Sequence, residues 1–198
     1  KELLEKYRGR VPDPVIPEGH IESLPIHLQH IRRHFGVVET DPDLVRLGRE
    51  AYYALVEWLD GEIAKILQAL DESGEADNTI IIYTADHGEM LGEHGMWWKC
   101  NFFEQSSRVP LIVAWPGKLT GGQRRTQVCS LVDLSATILE MTGAEVPRWF
   151  DGDSLIPLLE NSDAEWKDEA YCEYLGHGIP SPMLMLRRGR YKLNWYHQ

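Results

Sequence analysis

Between Leu44 and Leu70 the apolar residues Leu44, Leu47, Ala51, Leu55, Leu59, Ile63, Ile66 and Leu70 return at intervals of three or four. That period predicts one long amphipathic helix. Its start lies in Thr40-Asp41-Pro42-Asp43, where the Asp41 carboxylate can accept from free backbone N–H groups, Pro42 suits the first turn and Asp43 favours the positive end of the dipole. The helix should end near Ser73-Gly74. After the turn Glu75-Ala76-Asp77-Asn78 the pattern changes to Thr79-Ile80-Ile81-Ile82-Tyr83-Thr84-Ala85, a short run of β-branched and aromatic residues. Its apolarity is continuous rather than alternating, which predicts a strand covered on both faces, as in an α/β sheet. Val109 to Trp115 reads the same way. The long polar and aromatic loop between the two strands is of the kind that carries function in a compact domain.

Ser130 is positioned to cap a further helix through Leu131, Leu134, Ile138 and Leu139, closed by Gly143. Beyond Trp166, the segments Glu169 to Leu175, Met183 to Arg187 and Tyr191 to Trp195 read as short strands, the last two joined in hairpin style around Arg188-Gly189-Arg190. The stretch from Lys1 to Glu39 contains Pro12, Pro14, Pro17 and Pro25 and is expected to be an extended segment wrapped on a larger body. Its histidines, His20, His27, His30 and His34, have no neighbouring Cys or Asp lattice and read as packing or exposed groups rather than metal ligands.

Composition narrows the class. A hydrophobic share of 43% with 26% charged residues over 198 residues fits one globular domain with its own core. The formal net charge of -11 argues against a nucleic-acid grip, which needs clustered Lys and Arg. No apolar run approaches the roughly 20 residues that cross a bilayer. The cysteines Cys100, Cys129 and Cys172 are odd in number and widely spaced, which suits free thiols in a reducing, cytoplasmic compartment. The chain opens without Met and without a signal segment, so an upstream extension is expected and secretion or periplasmic placement stays open.

The candidate chemistry lies where the first predicted strand ends. Asp86 and His87 follow it directly, at the carboxyl edge where α/β sheets place ligands. A carboxylate beside an imidazole offers oxygen and nitrogen donors to a divalent cation, and Gly88 lets the backbone turn closely around it. Asp-His alone is also what a loop cap and a packing side chain would look like. Downstream, Glu104 and Arg108 are expected to brace the loop as an ion pair, and Trp97 and Trp98 to anchor it in the core.

Context decides between these readings. The strand followed by Thr84-Ala85-Asp86-His87-Gly88-Glu89-Met90-Leu91-Gly92-Glu93-His94-Gly95-Met96-Trp97-Trp98-Lys99, then Phe103-Glu104 and Arg108-Val109-Pro110-Leu111-Ile112-Val113, resembles the second half of the sulfatase family of the alkaline-phosphatase superfamily. The likeness is to members of choline-sulfatase, iduronate-sulfatase and phosphonate monoester hydrolase type. It extends through Tyr52-Tyr53, Val132-Asp133-Leu134, Gly152-Asp153-Ser154-Leu155 and Arg190-Tyr191-Lys192.

The resemblance implies an α/β fold: a three-layer α/β/α alkaline-phosphatase-like body, incomplete here, over residues 1–165, and the start of a small C-terminal antiparallel α+β subdomain over 166–198. It implies Asp86 and His87 as ligands of a divalent metal, Ca2+ in a sulfatase and Mn2+ or Zn2+ in a phosphonate hydrolase. Lys99 becomes a catalytic and substrate-binding cation, with His94 as a second substrate contact. Metal and ammonium together would neutralise charge on a tetrahedral oxyanion and its transition state. In this family the nucleophile is a formylglycine made from a Cys or Ser in Cys/Ser-x-Pro-x-Arg. No Cys or Ser here begins that pattern, so the nucleophile is expected in an upstream segment and the chain alone is expected to be inactive. The expectation is a fragment of a metal-dependent sulfuric-ester hydrolase, with a phosphonate or phosphodiester hydrolase or a noncatalytic metal-binding fragment as alternatives. Its expected partner is a small-molecule sulfate ester, with no nucleic acid and no membrane span; homo-oligomerisation stays open.

Overall fold

The computed structural model describes residues 1–197. The N-terminal stretch, expected to be extended, instead contains three short helices: α1 (Glu2–Tyr7), α2 (His20–Ser23) and α3 (Ile26–His34). Its prolines delimit these helices rather than exclude them. Pro25 immediately precedes α3, while Pro12, Pro14 and Pro17 lie in the irregular run between α1 and α2. The long helix, α4 (Pro42–Glu72), has the expected cap, with the Asp41 carboxylate accepting the Asp43 N–H at 2.9 Å and Ser73 at the other end.

The covered face of α4 is not its apolar stripe. Val45, Arg49, Glu50 and Ala54 are buried, whereas Leu55, Trp58 and Ile66 are 59%, 53% and 68% exposed. Polar bonds hold the covered face. Glu50 accepts the Gly9 N–H at 2.8 Å, and Arg49 donates to the Pro12 and Leu91 carbonyls at 2.8 and 2.6 Å. The apolar stripe marks a surface that the described residues leave open. No helix among them is long and apolar enough to cross a membrane.

β1 (Ile81–Thr84) pairs antiparallel with β2 (Leu111–Ala114), Tyr83 opposite Ile112. Cover on both faces was expected for them. The face bearing Tyr83 and Ile112 is open, with Ile112 61% exposed. Between the strands runs the long loop, ending in a single helical turn, α5 (Glu104–Ser107). The predicted Ser130 cap forms: its side chain and Asp133 make a reciprocal capping box at the start of α6 (Leu131–Met141). After α7 (Ile156–Glu160) come β3 (Glu169–Tyr174), β4 (Met183–Arg188) and β5 (Tyr191–Tyr196) in one antiparallel sheet. Gly189, at φ 50°, turns the last hairpin.

One apolar cluster joins Leu24, Leu28 and Ile31 of the N-terminal stretch, Met90, Met96, Cys100 and Phe102 of the long loop, and Met183 and Met185 of β4. The loop is therefore a core element despite its lack of regular structure. Cys100, Cys129 and Cys172 are all free thiols.

A second anchor is Asp133, fully buried at the N-terminus of α6. Its oxygens accept from the Ser130 N–H at 2.8 Å, the Asp153 N–H at 3.0 Å and the Lys167 ammonium at 2.7 Å. Burial lowers the Lys167 pKa, but the bonds to Asp133 and Asp153 outweigh it and raise it overall. Asp133→Ala leaves the Ser130 and Asp153 N–H groups unpaired and Lys167 with Asp153 alone, and is expected to cost about 3–5 kcal/mol. At roughly 2–4 °C per kcal/mol for a chain of this size, the melting temperature should fall by about 10 °C. Thermal unfolding checks this, and a shift within about 2 °C would show that water replaces the carboxylate.

Candidate functional site

β1 ends at Thr84, and the chain then delivers Asp86 and His87 to the rim of the sheet. The His87 Nδ1 lies 2.7 Å from the Gly88 carbonyl oxygen. A carbonyl only accepts, so Nδ1 carries the proton and Nε2 keeps its lone pair. That lone pair faces the Lys99 ammonium at 2.8 Å, and Asp86 Oδ2 lies 3.4 Å from the same nitrogen. The other Asp86 oxygen accepts the His87 backbone N–H at 3.0 Å. Asp86, His87 and Lys99, distant by up to thirteen positions in sequence, thus meet in one group.

An imidazole with its far nitrogen bonded to a backbone carbonyl and its near nitrogen unprotonated is in the form that ligates metals. Asp86, largely exposed, adds a carboxylate oxygen beside it. The pair fits one side of a divalent-cation site. Two donors do not complete a coordination sphere, and among the described residues no group of three or more His, Cys, Asp or Glu side chains could hold a metal.

His94 does not join this group. Its ring stacks on Phe103, with centroids 3.7 Å apart, and its Nδ1 lies 2.8 Å from His20 Nε2. Burial first, then the neighbouring His20, pushes its pKa down against the pull of Glu93, so it is neutral near pH 7. Among the described residues no hydrogen bond links His94 to Asp86, His87 or Lys99. Its backbone is left-handed, at φ 56°, and its ring packs against Phe103 of the loop and His20 of α2.

Strain marks this loop. Leu91, His94 and Trp98 have φ values of 49°, 56° and 62°, a conformation that side chains other than glycine rarely adopt. Glu89 holds two of these turns, accepting the Trp98 N–H at 2.7 Å and the Leu91 N–H at 3.2 Å. Trp98 is not a core anchor: it is 44% exposed and lies tilted against Phe35, with ring centroids 4.8 Å apart. Trp97 packs over Gly48 of α4, where a Cβ would come within 2.9 Å of its ring.

The expected Glu104–Arg108 pair is replaced by a longer-range one. Glu104 accepts from Lys192 of β5 at 2.8 Å and lies 3.8 Å from Arg187 of β4. Lys192 also donates to the Ser107 hydroxyl at 2.9 Å, tying the C-terminal sheet to α5. The Lys192 bond holds the Glu104 carboxyl below its usual pKa, against a smaller opposing effect of burial. A depressed carboxyl stabilises the fold above its unfolded pKa, near 4.5, and that stability is lost as pH falls through the folded value. Glu104→Gln should therefore lower the melting temperature at pH 7, with the gap to the parent closing as pH falls through the folded value of the Glu104 carboxyl. A pH-independent gap would assign the effect to packing.

The sulfatase family model matches residues 20–144, and the model for the C-terminal part of N-sulphoglucosamine sulphohydrolase matches residues 92–198. A choline-sulfatase from Rhizobium meliloti is 36% identical over 187 residues, covering 93% of this chain and 35% of that protein. An N-acetylglucosamine-6-O-sulfatase from Bacteroides thetaiotaomicron is 40% identical over 126 residues, 62% of this chain and 23% of that one. The chain thus spans about a third or less of the length of these relatives. Among solved structures, a phosphonate monoester hydrolase from Silicibacter pomeroyi superposes with a TM-score of 0.83 at 26% identity, covering 94% of this chain and 42% of that one. Its likeness agrees with the expected α/β alkaline-phosphatase-like fold. With the Asp86-His87-Gly88 turn and Lys99 inside the matched region, the chain belongs to the sulfatase family of the alkaline-phosphatase superfamily.

Proposed function

We propose that this chain is the later part of a metal-dependent sulfuric-ester hydrolase and carries one side of its active site. The observation that carries the reading is the convergence of Asp86, His87 and Lys99, with Nε2 of His87 within 3.4 Å of a carboxylate oxygen and 2.8 Å of an ammonium. Asp86 and His87 would hold the divalent metal, which when bound supplies positive charge to polarise the ester oxygens. Lys99 donates to a sulfate oxygen as negative charge grows on the leaving side. The His87 Nδ1–H stays on the Gly88 carbonyl, so ring orientation is fixed, and Nε2 would ligate the metal in place of its present contact with Lys99. The metal would be Ca2+ in a sulfatase and Mn2+ or Zn2+ in a phosphonate hydrolase, the carboxylate suiting the harder ions and the imidazole suiting Zn2+. His94 would contact substrate only if its bond to His20 opened.

The open apolar surface of α4 and β2 supports the reading as part of a larger body, because exposed patches of this kind are normally covered. The nucleophile, and with it a formylglycine, would lie in another segment, and this chain by itself is expected to turn over neither sulfate nor phosphate esters.

A phosphonate monoester hydrolase is the second reading, favoured by the solved hydrolase that superposes at a TM-score of 0.83. Sulfate and phosphonate esters are both tetrahedral oxyanions that the same cation pair can hold. The test is to read the gene upstream of Lys1 for Cys/Ser-x-Pro-x-Arg, then assay the complete product on aryl sulfate and aryl phosphonate esters with metal analysis. Preference for the sulfate, lost on chelation, is expected. Preference for the phosphonate would move the assignment to the second reading, and metal binding without turnover would leave a noncatalytic protein.

A further inference from the structure

The residue that joins the two halves of the site is Ser106, which carries no charge and stands outside the Asp-His-Gly and Trp-Trp-Lys segments. It is buried in α5, 3% exposed. Its backbone carbonyl accepts the Gly88 N–H at 2.8 Å, fixing the turn that presents Asp86 and His87. Its hydroxyl donates to the Lys99 carbonyl and lies 3.1 Å from the Asn101 carbonyl. One residue therefore sets the spacing between the imidazole and the ammonium. On the outer side, Lys192 holds the next residue, Ser107, so α5 is itself anchored to the C-terminal sheet.

We infer that Ser106 is a positioning residue that holds Lys99 in register with His87, an inference that rests on the proposed role of Lys99 in binding the sulfate group. Without the hydroxyl the Lys99 carbonyl keeps only the Asn101 N–H at 2.6 Å, and the strained backbone at the neighbouring Trp98 loses one of its restraints. Relaxation moves Lys99 away from its substrate oxygen, and displacements of about 1 Å at such a contact cost up to roughly a hundredfold in rate.

The experiment is a double-mutant cycle in the complete enzyme, reading kcat, KM and melting temperature on an aryl sulfate for Ser106→Ala, Lys99→Ala and both together. Ser106→Ala is expected to lower kcat about ten- to a hundredfold with a small change in KM, and to lower it by at most about twofold further when Lys99 is already Ala. Equal losses in both backgrounds would assign Ser106 to general stability and overturn the inference. So would full activity of Ser106→Ala. Lys99→Ala with normal kcat would remove the sulfate-binding reading itself, and the positioning role with it. Should Ser106→Ala not fold, Ser106→Cys, close in size with a weak donor, takes its place in the same cycle.

Discussion

Lys99→Ala in the complete enzyme is expected to lower kcat for an aryl sulfate by about two to three orders of magnitude, the effect of losing one well-placed donor to a developing oxyanion, worth roughly 2.7–4 kcal/mol. The side chain is exposed, and its polar contact is the His87 Nε2 at 2.8 Å, so the fold should hardly notice its loss. Asp86→Ala should behave differently. It removes the carboxylate beside the imidazole, so metal content should fall together with activity. Measuring kcat/KM, metal stoichiometry and melting temperature for both variants separates the roles. A Lys99→Ala enzyme with near-normal kcat/KM would make Lys99 a surface cation, and Asp86→Ala with full metal would move the cation site elsewhere.

The second large effect is structural and comes from Gly88→Ala. A Cβ at this position would lie 2.0 Å from the Gln105 carbonyl oxygen and 3.0 Å from its carbon, both backbone atoms of α5. No rotamer change can relieve that contact. Either the turn leaves α5, breaking the Gly88 N–H bond to Ser106 at 2.8 Å, or α5 moves and takes the carbonyl support of Lys99 with it. Overpacking of this kind costs about 1–3 kcal/mol. The melting temperature should fall by roughly 2–12 °C. Activity should fall more than a hundredfold, because the His87–Lys99 spacing cannot survive either adjustment. Retained melting temperature and turnover in Gly88→Ala would mean that the turn does not pack on α5.

Both predictions fall on residues that stood out in the sequence, but for reasons of different origin. Lys99 was found through the resemblance, since an isolated lysine in a loop carries no local signal. The glycine was expected to let the backbone turn closely around a metal ion; the close approach it makes in the structure is instead to the α5 backbone. Ser106 had no signal of its own: a small hydroxyl residue between Glu104 and Arg108 looks like any polar loop position. Its importance comes from two carbonyls, five and seven residues upstream, that only tertiary packing brings to its hydroxyl.

The sequence by itself determined the elements whose causes are local. The Asp41 and Ser130 caps, the long 3.6-residue period, the strand after Asn78 and the hairpin at Gly189 all formed because neighbouring residues settle backbone dihedrals and satisfy end groups. Tertiary structure decided what each face meets. It put Arg49 and Glu50 under cover and left the apolar stripe of α4 open. It gave Glu104 to Lys192, His94 to His20, and the N-terminal helices Leu28 and Ile31 to the core beneath the loop. Periodicity reports that a face is apolar and a motif that two donors are adjacent; neither reports the partner, because burial and ion pairing depend on segments that are remote along the chain and adjacent only in space.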